Sequence, residues 1–388
     1  MSAVLLAAVT LTNVPGCVNA GAVKSTEPVY PKMAQYPGED ENGWDKWNSS
    51  RRKQLSAPEG YYDSLWNFYG DSSRAYLSGT QENRAYSPVS LYMALSMLAE
   101  CTSGESRSQI LGLMNAPDIE TLRTLAKSYY ASAHSGEFGS EEMTQAIRGW
   151  LNKQTGGMLN DAASDVAPDA STLMALYSTV WFKGRWDNEF NKQLNDTRTF
   201  HAPSGDVQAE FMNQSFDRSY YWGEDFGAVK QPFVSGCDMW LILPDEDKSV
   251  SDMLDSGNYL SLLTDGYDYE NSRTMKVNLA LPKFDVTSTI DLMEGLTELG
   301  ITDVFSENAD FSELCSSELY VNSARQSARV TVDEEGCTAA AFTEMLMCGS
   351  ACPPENIQEI DFVLDRPFLF VITGLDGQPL FVGTVFNV

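Results

Sequence analysis

The reading of this chain turns on Val330-Thr331-Val332-Asp333-Glu334-Glu335-Gly336-Cys337-Thr338-Ala339-Ala340-Ala341, in which three acidic residues and a glycine lead into three alanines. Strand side chains alternate faces, so in an extended chain Cys337, Ala339, Ala341 and Thr343 point one way, and Thr338, Ala340, Phe342 and Glu344 the other. The first set is uniformly small and can be buried between strands without prying apart what lies beneath. Phe342 and Glu344 suit only an outer face. Gly336 lacks a Cβ and changes backbone region cheaply, which makes it a pivot. Taken alone, residues 338–347 also suit a helix, because alanine is the strongest helix former.

Upstream of this stretch the texture is helical first and strand-like later. Tyr61 to Leu77 places Leu65, Phe68, Tyr69 and Tyr76 at near-helical spacing. Ser87-Pro88-Val89-Ser90 opens a second helix with Pro88 where its missing N–H costs nothing, and that helix reads as buried on most sides. Ser106 to Leu113 and Ile119 to Tyr130 continue the helical half. After residue 170, Leu173 to Phe182 and Met239 to Leu243 are short apolar runs bounded by turn residues, and Val277 to Thr287 alternates, as strands do. Helices followed by strands predict an α+β fold with a large, mainly antiparallel sheet.

The 388 residues are 43% hydrophobic and 21% charged, enough apolar side chain for a large core. A formal net charge of -28 repels phosphate backbones and anionic membranes, so nucleic acid is excluded as a partner class. Residues 1–17 hold an apolar run too short to span a bilayer, and they read as a signal peptide. Gly16-Cys17 after Val14 also resembles a lipoprotein box in which Cys17 carries a lipid anchor. Either way the chain is expected outside the cell. Residues 18–57 are rich in Pro, Gly, Asn and charge and read as a flexible tether, leaving 58–388 as the domain. Seven cysteines, none in a CxxC pair, indicate neither a disulfide framework nor a zinc site, and Cys101, Cys237 and Cys315 are simplest as small buried hydrophobes.

An enzyme reading finds little support. GxSxG and HExxH are missing, and the two histidines, His134 and His201, lie in polar or turn-like contexts where a surface loop is the commoner setting. Ser50-Arg51-Arg52-Lys53 fits SxxK but falls in the tether without its SDN and KTG partners. No catalytic residue, cofactor or metal is expected.

The opening stretch resembles the hinge of the serpin family, and it does not stand alone. Asp365-Arg366-Pro367-Phe368-Leu369-Phe370 with Pro379-Leu380-Phe381-Val382-Gly383 looks like the family's C-terminal strands. Trp181-Phe182-Lys183-Gly184-Arg185-Trp186, Leu299-Gly300-Ile301-Thr302-Asp303-Val304-Phe305 and Ser87-Pro88-Val89-Ser90 match further family segments in consistent order from about residue 58 to 388. The resemblance implies a serpin fold of about nine helices and three β-sheets with an exposed reactive-centre loop. It implies a serine protease inhibitor that acts as a suicide substrate: the protease acylates itself on the loop, which then inserts into the main sheet and drags the enzyme to the far pole. Glu334, Glu335, Gly336, Cys337, Thr338, Ala339, Ala340 and Ala341 fall on the hinge. Lys283, Glu334 and Trp186 fall on the breach at the top of the sheet, and Ser87, Ser90 and Gln326 on the shutter beneath its centre. Three features depart from the family: Gln326 replaces a common shutter histidine, Cys337 a hinge Thr or Ser, and Phe342 is large for its place.

Family spacing from Gly336 puts the reactive bond between Ser350 and Ala351, with Leu346 or Met347 as alternatives. The intervening segment of about fourteen residues spans roughly 45 Å at ~3.3 Å each, close to the ~50 Å diameter of a domain this size. A small residue before the cut suits elastase-like or subtilisin-like proteases, and the absence of Lys and Arg between Arg329 and Arg366 disfavours trypsin-like ones. Cys352-Pro353-Pro354 resembles the loop of antitrypsin-like members, and the signal segment points to a bacterial-type secreted or lipid-anchored member. Cys348 and Cys352 straddle the bond and form a candidate redox pair. Arg123 and Lys127 alone on residues 119–130 argue against activation by a heparin-type glycosaminoglycan. A monomer is expected. The competing class is a non-inhibitory serpin-fold binding protein or chaperone, whose members tend to have bulky or charged hinges.

Overall fold

A computed structural model of the chain describes residues 4–11, 24–26, 61–125, 130–135, 140–154, 157, 174–265, 269–313, 318–337, 357–374 and 377–388. The first two elements are strands, β1 (Val4–Leu11) and β2 (Lys24–Thr26). The helical half follows as α1 (Tyr61–Leu77), the short β3 (Arg84–Tyr86), α2 (Pro88–Cys101), α3 (Gly104–Leu113), α4 (Ile119–Leu125), β4 (Tyr130–Ser135) and α5 (Glu141–Gln154). Strands then dominate: β5 (Met174–Trp181), β6 (Gly184–Arg185), β7 (Asp196–Ala202), β8 (Gly205–Trp222), β9 (Phe226–Pro232) and β10 (Asp238–Pro244). Two short helices, α6 (Val250–Ser256) and α7 (Tyr259–Asp265), precede β11 (Ser272–Pro282), β12 (Phe284–Asp291) and α8 (Met293–Glu298). The chain ends through β13 (Arg325–Val332), β14 (Gly336–Cys337), β15 (Glu359–Val363), β16 (Phe368–Thr373) and β17 (Pro379–Val385).

Among the described residues these make eight α-helices and three sheets. Nine strands form the largest, in the order β15-β11-β8-β9-β10-β16-β17-β3 with β7 on β8. Its central strands are buried on both faces, which is why β10 and β16 read as unbroken apolar runs. Trp240, Ile242, Leu369 and Val371 join the helices in one core. Met239, Leu241, Phe368, Phe370 and Ile372 face a second core shared with β12 and β13.

Helix α2 lies at the centre. The Ser90 N–H donates to the Ser87 hydroxyl at 3.3 Å, Pro88 starts the first turn, and Val89, Leu91, Tyr92, Met93, Leu95 and Leu98 are buried, so the helix is enclosed as its composition predicts. The alternating run Val277 to Thr287 divides at Lys283 into β11 and β12, which belong to different sheets. Cys237 and Cys337 are buried and Cys101 half-buried, none of the three in a disulfide; Cys315 lies outside the described residues.

Two expectations change, and the segment read as a signal takes a place in a sheet. The run read as a signal core, Val4–Leu11, is a strand between β4 and β5, paired with both. A short apolar run suits a secretory core and a buried strand equally, and periodicity alone does not separate them. The helix expected over Ile119 to Tyr130 stops at Leu125, because Tyr130 pairs with Leu6 and opens β4; a partner more than a hundred residues away overrides local spacing. His134 and His201 are not loop residues but stand on β4 and β7, where His201 Nδ1 lies 2.8 Å from Asp206.

Candidate functional site at the top of the split sheet

The strands around the acidic turn belong to two sheets. One sheet is β2-β4-β1-β5 and the other β12-β13-β14-β6. Only Phe182 and Lys183 separate β5 from β6, yet the two strands belong to different sheets. β13 comes within 8 Å of β5 between Cα atoms, but no ladder joins them among the described residues. The sheets therefore meet at a seam whose upper end is closed by β14.

That closure follows from the sequence after Val332. Asp333 makes the turn: its carboxylate accepts from the N–H groups of Glu335 (2.9 Å) and Gly336 (3.1 Å), and its own N–H donates to the Gly336 carbonyl (3.0 Å). The chain reverses, so that Cys337 pairs with Val332 on one side and Gly184 on the other, and Gly336 with Arg185. Gly336 has φ of +152°, and a Cβ there would sit 2.1 Å from the Gly184 carbonyl oxygen. Only glycine fits between β13 and β6 at this point. Cys337 is fully enclosed, and burial, with Asp333 adding to it, pushes its thiol up to about 12.

Side chains lock the turn from two directions. Trp186 is buried, stacks on Phe233 at 4.5 Å, donates its indole N–H to the Asp333 carbonyl (2.9 Å) and its backbone N–H to the Glu335 carbonyl (3.0 Å). Glu334 is 5% exposed, and one carboxylate oxygen accepts from Lys283 Nζ (2.7 Å) and Asn195 Nδ2 (2.7 Å). Burial works to raise this carboxyl, but the bonds from Lys283, the backbone and Asn195 outweigh it and hold it below its ordinary range. Lys283 and Asn195 both also bond Glu210, so two carboxylates share one lysine, whose ammonium form is stabilised despite its burial.

Lower on β13, Gln326 is buried against the start of α2. Its side-chain oxygen accepts from the Ser87 N–H (2.7 Å), and its amide donates to the Ser87 carbonyl (2.9 Å). Ser90 is buried beside them through the helix cap. The side-chain amide both donates and accepts here, so glutamine closes both ends of a contact between a strand and a helix start.

Lys283, Glu334 and Trp186 thus meet at one place, as do Ser87, Ser90 and Gln326, and Glu335, Gly336 and Cys337 adjoin the first group. Thr338, Ala339, Ala340, Ala341, Leu346, Met347, Cys348, Ser350, Ala351, Cys352 and Cys17 lie outside the described residues. Sequence reasoning missed Asn195, Glu210 and Phe233, which carry no local signal. It also missed Asp333, for which an aspartate three residues before a glycine was a usable turn signal.

Comparison with known proteins adds three findings. The family model described as "Serpin (serine protease inhibitor)" matches residues 120–388. Serpin-Z2B of Triticum aestivum is 27% identical over 366 residues, covering 79% of this chain and 90% of that protein, and Serpin-ZX of Hordeum vulgare is 28% identical over 376, covering 81% and 93%. Among solved structures, the thermophilic serpin tengpin in its native state matches with a TM-score of 0.73 at 24% identity, over 86% of this chain and 95% of that one.

Proposed function

The chain belongs to the serpin family of serine protease inhibitors, and we propose that it inhibits as a suicide substrate with Ser350–Ala351 as its bait bond. The observation that carries this reading is β14. The first two residues of the loop already sit as a strand between β13 and β6, above the seam between β13 and β5. Continued in register, the next residues enter that seam, and Ala339 and Ala341 are small enough to be buried there.

In this reading the protease serine attacks the Ser350 carbonyl carbon, the bond to the Ala351 nitrogen breaks, and an ester joins inhibitor to enzyme. Insertion of residues 338–350 then carries the ester to the far pole before water cleaves it. A small residue before the cut favours elastase-like or subtilisin-like enzymes with narrow pockets. Arg123 is paired with Glu100 at 2.7 Å and with Glu120, so this cation is already engaged, consistent with inhibition without a polyanionic activator.

Mixing the protein with elastase and resolving the products under denaturing conditions tests the proposal. A one-to-one adduct resistant to SDS, with a released peptide beginning at Ala351, is expected. Cleavage without an adduct would place the chain with the non-inhibitory members, and a released peptide beginning at Met347 or Cys348 would move the bait bond.

A further inference from the structure

The N-terminal arm enters the fold in a way that neither the family nor the loop explains. β1 is an inner strand, parallel to β4 from Leu6↔Tyr130 to Leu11↔Ser135 and antiparallel to β5 from Val4↔Trp181 to Leu11↔Met174. β2 takes the other edge of β4, with Lys24 opposite Ser135 and Thr26 opposite Ala133. β1 and β2 therefore flank β4 on both sides. An arm cut at residue 17 as a signal would lose β1 and keep β2.

Two physical points make β1 part of the sheet. Strands lie ~4.8 Å apart, so without β1 the strands β4 and β5 would stand about 9.6 Å apart, each with a bare row of N–H and C=O groups. Helix α2, buried on most sides, packs against both β5 and β1, so an empty slot would open the helix to water. The sequence Val-Leu-Leu-Ala-Ala-Val-Thr-Leu has the nearly unbroken apolar character of a strand covered on both faces.

We propose that Val4–Leu11 is a retained structural strand, and that the slot between β4 and β5 is a binding site for an extended apolar peptide, whose resident occupant is this segment. The slot recognises main chain through two ladders, and α2 packs against β5 and β1 at its side.

The test uses the full chain with a specific protease site inserted near residue 45. After nicking, the N-terminal fragment is expected to co-elute with the body in size exclusion, and the nicked protein to melt as the intact one does. Ala7→Pro removes an N–H from the middle of β1 and bars its pairing. The nicked variant is expected to shed its fragment and to retain a labelled Val4–Leu11 peptide carrying a solubilising Lys tail, whereas nicked wild type excludes the peptide. Should Ala7→Pro fail to fold, the nicked wild type still decides. A wild-type fragment that elutes alone while the melting temperature stays unchanged overturns the proposal, as does equal peptide binding by both proteins.

Discussion

Gly336→Ala is the sharpest probe of the seated hinge. The added Cβ would meet the Gly184 carbonyl oxygen at 2.1 Å and Arg185 Cα at 2.8 Å, both backbone atoms that no rotamer change can move. β14 must therefore leave its place between β13 and β6. Loss of three to four backbone hydrogen bonds costs about 3–4 kcal/mol at ~1 kcal/mol each. Freeing two residues returns about 2–4 kcal/mol of backbone entropy. The net change is about 1 kcal/mol, which moves the melting temperature of a domain this large by only a few degrees. Local chemistry reads the change far better. The thiolate is the nucleophile, so release of Cys337 from about 12 toward its ordinary value of 9.0 raises its thiolate fraction near neutral pH by about 10³-fold, before any gain in access. The assay is timed alkylation of the native protein, followed by Glu-specific digestion and mass spectrometry; cuts after Glu335, Glu344 and Glu355 separate Cys337 from Cys348 and Cys352. Alkylation of wild-type Cys337 as fast as in the denatured chain would refute the seated hinge. Equal protection in Gly336→Ala and wild type would refute the steric reasoning.

Gln326→Leu leaves the buried Ser87 N–H without its partner, while the Ser87 carbonyl keeps the Leu91 N–H, and is expected to destabilise by about 1–3 kcal/mol, read as a lower denaturation midpoint. Glu334 has its carboxyl depressed in the folded state, so its contribution is fully present above about 4.5, the unfolded value, and is lost as pH falls through the folded value. Between pH 6 and pH 3 the wild-type melting temperature should therefore fall further than that of Glu334→Gln; parallel curves would remove Glu334 from the acid response. Ala339→Arg places a long cation on the face that insertion buries, an unpaired charge that stalls the strand, and should turn the inhibitor into a substrate. Densitometry of adduct against cleaved protein measures the partition, and an unchanged ratio would sink the insertion argument.

How much of this was legible in the sequence depends on where each signal resides. Local signals read well. The N-cap and proline at Ser87-Pro88, the apolar runs of β5 and β10, and the spacing of Tyr61–Leu77 all reappear as elements, because each is decided by residues within a few positions. The family's consistent motifs carried the rest of the reading, including the meeting of Lys283 with Glu334, which are 51 positions apart and individually look like ordinary surface charges. Nothing local distinguishes them from Lys192 and Glu335, which pair in the open at 3.3 Å.

The failures share one cause, which also bears on mechanism. β4 was misread because the strand that pairs with it is far away in sequence, and a segment whose partner lies more than a hundred residues away shows only half of its reason for being a strand. Asn195 was missed because its importance lies in a bond to a carboxylate that the Asp333 turn carries into the interior. The same non-locality governs the seam. β5 and β13 belong to different sheets, one built from strands between Val4 and Trp181, the other from Gly184–Arg185 and strands between Phe284 and Cys337. A strand entering between them works at a boundary where, among the described residues, the two sheets are not laddered together. Trp186 to Asp333 and Gly184 to Cys337 lie above that boundary, within the sheet β12-β13-β14-β6, and hold the hinge while the strand enters below them; Gln326 to Ser87 ties β13 to the start of α2. Entry between β5 and β13 therefore breaks no ladder among the described residues, because none joins those two strands.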